Sequence, residues 1–299
     1  MYIFKNKYGL VRAGWLILAA MFFYISGQII FSLPGFYLFE SIRSSEKQTE
    51  ILTEISNFPW IQLMINGGGV LGSLLMTLLA WKLLNRKSIL DLGLLINVSH
   101  IKDLAAGLIL GSCSMTAIFV ILLVTNAIQL ENSLLAPQFS IYSLSFLILF
   151  ILVGFSEEIF FRGYIMCTMV GRYHSTWLSY VVSAIVFSIA HGSNPNISLL
   201  GLINIGLVGL LFSYMYWTTK NLWMPIGYHI TWNYFQGNVF GFPVSGTDPH
   251  GLYNITVNDT ANTFTGGEFG PEGGILATVI IFIGIIITNV YCRRRKKAR

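Results

Sequence analysis

Apolar runs separated by polar joints recur eight times along the chain, most of them near the roughly 20 residues that a helix needs to cross a bilayer. They fall at about 13–33, 60–84, 104–128, 141 into the acidic pair at 157–158, 177–190, 197–217, 222–240 and 274–291. The pattern predicts an all-α polytopic membrane bundle of about eight transmembrane helices, with 1–299 forming one integral membrane domain. Pro34 and Gly35 are expected to end the first run. Residues 40–57 are expected to form a mixed-charge loop with a short amphipathic helix at 51–55. Residues 163–175 read as a helical continuation or an elbow, and 241–272 as a Gly-rich extracytoplasmic loop.

Charge orients the runs. With both ends inside, sixteen of the 18 basic residues fall on cytoplasmic segments and only Arg43 and Lys47 fall outside, the asymmetry expected of a cell-membrane protein with cytoplasmic termini. A chain that is 54% hydrophobic and 10% charged, with mean hydropathy +0.67, excludes a soluble domain, and its basic excess follows the membrane rather than nucleic acid. Cys113, Cys167 and Cys292 have no metal-ligand or disulfide spacing and read as packing residues. Gly67-Gly68-Gly69 and Gly72 suit close helix packing. No Lys-Ser/Thr follows them, as a phosphate loop would need.

Against that background, Glu157, Glu158 and Arg162 are out of place. A charge at membrane depth costs a few kcal/mol, about 3 at a helix centre, which makes it a functional-site candidate. On a helix Glu158 and Arg162 share a face at i, i+4 and pair. Glu157 is turned about 100° away without that counter-ion and becomes the chemical group. His191 closes Phe187-Ser-Ile-Ala-His191, and His229-Ile-Thr-Trp-Asn233 puts a histidine and an amide on one helix face. One helical histidine is most often a packing residue. Two, with Asn233 and an unpaired Glu157, supply a base and oxyanion donors.

In these three motifs the chain resembles the CAAX-protease and bacteriocin-processing family of intramembrane proteases, also called the Abi family. The motifs are Glu157-Glu158-Ile-Phe-Phe-Arg162, Phe187-x-x-x-His191 and His229-x-x-x-Asn233, within 141–240. The resemblance implies a helical bundle whose cavity holds the motif residues, with peptide-bond hydrolysis by Glu-activated water. Glu157 with His191 would activate the water, His229 and Asn233 would stabilise the oxyanion, and Glu158, Arg162 and Phe187 would support the site. The implied partners are membrane lipid and a peptide or protein substrate, cut in a C-terminal or leader segment.

Two rivals are set beside this reading. Glu157, His191 and His229 with an open position would make a catalytic zinc set. Asn233 is a poor zinc ligand and a good oxyanion donor, and that favours chemistry without a cofactor. A non-catalytic carrier or immunity protein would use the same residues as a proton relay or a binding surface. Span counting leaves one conflict: Glu157 falls near the inner end of the fourth run and His191 near the outer end of the fifth.

Overall fold

The computed structural model describes residues 3–45, 58–247, 250–258 and 262–297. Each of the eight apolar runs is helical there. We label the helices α1 (Ala13–Ser45), α2 (Pro59–Asn85), α3 (Val98–Val124), α4 (Ile141–Val170), α5 (Thr176–Ala190), α6 (Leu199–Thr219), α7 (Trp223–Tyr234) and α8 (Ile275–Lys297). Among the described residues six of them, all but α5 and α7, are long and apolar enough to cross a membrane. The chain is thus a multi-pass helical membrane bundle with two shorter helices, α5 and α7.

Several boundaries differ from the sequence pattern. α1 does not stop at Pro34 and Gly35 but runs through them to Ser45. Gly35 lies directly against Ile65 and the backbone of Met64 on α2, so packing between the two helices holds the segment helical across the proline. The third run ends at Val124 rather than 128, and Ile128–Leu130 instead forms strand β1, antiparallel to β2 (Ile255–Val257). The amphipathic helix expected at 51–55 lies outside the described residues. The segment 241–272 is more than a loop: Phe242 and Phe269 are fully buried, and Val244 packs with Phe146 and Phe150 of α4.

α1 packs along α2, α3 along α7, α5 along α6, and α4 against α7. With lipid outside, no hydrophobic drive distinguishes helix from tail, so backbone approach does the work. Gly27 of α1 and Gly72 of α2 meet so closely that a Cβ on either would strike the other's carbonyl oxygen. The small residues of the second run therefore serve helix packing, as their composition suggested. α2 also carries two π segments, Leu63–Gly67 and Trp81–Asn85, and α4 a third, Ile159–Met166.

Candidate active site

The conflict over depth disappears because α4 continues past the charged residues. The π segment carries it through Arg162 to Val170, so 163–175 holds a helical continuation followed by a turn at 171–175. Glu157 lies 13 residues before Val170 and His191 lies 15 after Thr176. At 1.5 Å per residue both stand about 20 Å from the shared turn, so an antiparallel pairing of α4 with α5 sets them side by side.

The helix can continue because its charges are matched. Glu158 and Arg162 are both 0% exposed, and Arg162 Nη1 donates to Glu158 Oε1 at 2.8 Å. Arg162 Nη2 donates to the Gly209 carbonyl of α6 at 3.3 Å, and the guanidinium lies over Phe187 (4.3 Å) and Phe212 (5.0 Å). Phe187 thus supports the site by its ring face, and by packing edge-on to His191 at 4.6 Å.

Glu158 has a second role that the sequence spacing did not reveal. His229 Nδ1 stands 2.9 Å from the same Oε1, and since a carboxylate only accepts, Nδ1 carries the proton. The His191 Nδ1 likewise donates to the Phe187 carbonyl at 2.8 Å. Both rings therefore have one nitrogen tied back and present Nε2 to the cavity. The two Nε2 atoms converge on one oxygen, Glu157 Oε2, at 3.9 Å from His191 and 3.8 Å from His229. Both distances exceed a direct hydrogen bond. Glu157 Oε2 is buried and has no hydrogen-bond partner among the described residues.

Asn233 follows His229 by one turn of α7, is 6% exposed, and lines the same cavity. The cavity encloses about 620 Å³, within the range of small-molecule and peptide sites. Glu157, His191, His229 and Asn233 all face it. Among the described residues there is no group of three or more His, Cys, Asp and Glu arranged to hold a metal ion.

Sequence reasoning missed Glu272 and Ser245 on the cavity wall. Glu272, at the end of the segment expected to be a loop, turns into the cavity with its Oε2 accepting from Ser245 N (3.0 Å) and Ser245 Oγ (2.7 Å). Burial pushes its carboxyl above the usual carboxylate range, partly countered by Ser245 and by the nearby His191. The only local signal was an acid directly before the last apolar run.

No curated protein matches the chain. Residues 138–235 match the family model described as type II CAAX prenyl endopeptidase Rce1-like, a segment that contains every motif residue of the cavity. Over that segment, and not over the rest of its length, the chain is similar to the Rce1-like type II CAAX prenyl endopeptidases.

Proposed function

We propose that the chain hydrolyses a peptide bond of a membrane-embedded protein or peptide by water activated at Glu157, without a cofactor. The observation that carries this reading is the orphaned Glu157 Oε2 with two histidine Nε2 atoms 3.8–3.9 Å away, a geometry that a bridging water fits. Glu157 takes the water proton, and His191, fixed by its bond to the Phe187 carbonyl, orients the water. The hydroxide attacks the scissile carbonyl. His229, whose Nδ1 is engaged by Glu158, donates from Nε2 as the imidazolium, and with Asn233 it holds the oxyanion. The proton on Glu157 then passes to the departing amine. The test is a comparison of membrane peptides from cells carrying wild type and Glu157→Gln: products present only with wild type are expected, and identical peptide sets would favour a binding-only or carrier protein.

A zinc reading has one observation in its favour. Both cavity histidines are oriented through Nδ1 by an oxygen, the arrangement that metal-bound histidines usually have. Glu157, His191 and His229 do not stand as a metal-holding group in the structure and would have to close in around the ion, which would supply an activated water. Asn233 separates the two readings. Without a metal, Asn233→Ala is expected to lower kcat about a hundred- to a thousand-fold with little change in KM, since the oxyanion exists only in the transition state. Chelators are expected to leave the wild-type rate unchanged. Stoichiometric zinc in the purified protein, lost in His191→Ala and His229→Ala, would replace this mechanism.

The basic asymmetry supports insertion in the cell membrane with both termini and the 171–175 turn cytoplasmic, and with 241–272 and the cavity wall that it forms outside. A cysteine at the exposed Glu268 is expected to react with an impermeant reagent on intact cells. Reaction only after lysis would invert the topology.

A further inference from the structure

The wall of the cavity opposite α5 and α6 comes from α1 and α2, both outside the family-matched segment. It carries three primary amides, Gln28 of α1 and Gln62 and Asn66 of α2. None of these side chains makes a hydrogen bond among the described residues. Gln62 and Asn66 flank and occupy the π segment Leu63–Gly67, a local widening of the kind often found at functional sites. Gly69, one turn on, leaves room for Gln28: a Cβ there would lie 3.3 Å from Gln28 Cγ. At 1.5 Å per residue from Pro59, Asn66 and the level of Gly69 lie about 10–15 Å along the helix.

Gln28 and Asn66 are exposed and Gln62 is half-buried, so all three amides are free to pair with whatever occupies the cavity they line. Packing does not explain three of them on one wall facing Glu157. We propose that Gln28, Gln62 and Asn66 form a binding strip for the backbone of the substrate, which lies against the α1–α2 wall of the cavity as an unwound, extended chain. A primary amide offers one acceptor and two donors, and so can pair with the C=O and N–H of a peptide unit. A helix satisfies its own backbone and offers these amides nothing, whereas an extended segment has every group free. The chemistry requires the same state, because a carbonyl must leave its helical bond before water can attack it. The apolar side of the corridor, Val70, Phe146 and Phe150, would take alternate side chains.

This inference deepens the protease reading and rests on it for the identity of the occupant, but it is tested by binding alone. The full chain carrying Glu157→Gln, in detergent micelles, is titrated with a dansyl-labelled decapeptide of alternating leucine and serine. The same peptide methylated on alternate backbone nitrogens is titrated beside it. The methylated peptide is expected to bind about tenfold more weakly, the equivalent of one or two lost hydrogen bonds. Adding Gln28→Leu and Asn66→Leu is expected to reduce that discrimination to about threefold or less while the melting temperature holds. Equal affinity for the two peptides, no binding of the parent peptide, or undiminished discrimination in the substituted chain overturns the proposal. If wild type and Glu157→Gln cells yield identical membrane peptides, the protease reading fails, whatever the titration gives.

Discussion

Glu157→Gln is expected to remove turnover while leaving the fold intact, the largest effect on activity of any conservative change in the chain. Loss of a general base lowers rates about a hundred- to ten-thousand-fold, and here the same group also positions the water. The fold should not respond, because glutamine has nearly the same shape and Glu157 Oε2 makes no hydrogen bond that could be lost. The check is kcat on a cleaved peptide beside the thermal midpoint of the purified protein. An unchanged midpoint with kcat at background supports the assignment. A near-normal kcat would move the base elsewhere in the cavity, with Glu272 as the remaining carboxylate on its wall.

The sequence carried the local half of this site. The i, i+4 spacings of Glu158 with Arg162 and of His229 with Asn233 were legible because a helix forces such neighbours together. They recur in the structure as a 2.8 Å ion pair and as two side chains on one cavity wall. Spacing is silent on contacts between helices. The bond from His229 to Glu158 joins residues 71 apart, and Glu272 reaches the cavity only through the fold of 241–272. The depth of Glu157 was misjudged for a related reason. A charged triplet after an apolar run looks like a helix end, and only the buried partners of Arg162 on α5 and α6 let α4 continue through it. The strip of Gln28, Gln62 and Asn66 was invisible because an i, i+4 amide pair in the second run and one amide in the first acquire meaning only when the two helices face one cavity.

Glu158 and Arg162 are expected to govern folded yield, but the structure adds an effect on rate. Arg162→Ala leaves the fully buried Glu158 carboxylate without its counter-ion, a loss of roughly 3–5 kcal/mol. It also removes the guanidinium from between Phe187 and Phe212, so little folded protein should be recovered. Glu158→Gln strands Arg162 and leaves His229 Nδ1 an uncharged acceptor in place of the carboxylate that holds its imidazolium, so the fraction that does fold should turn over slowly as well. Replacing both partners by leucine separates the two effects. With no charge left to strand, an apolar pair can restore much of the stability, and yield and thermal midpoint should rise well above those of Arg162→Ala. Activity should stay low, because His229 then has no carboxylate to hold its ring and its proton. A double variant that regains both yield and turnover would reduce Glu158 to a counter-ion and leave the orientation of His229 to Phe212, whose ring stacks on it at 5.4 Å.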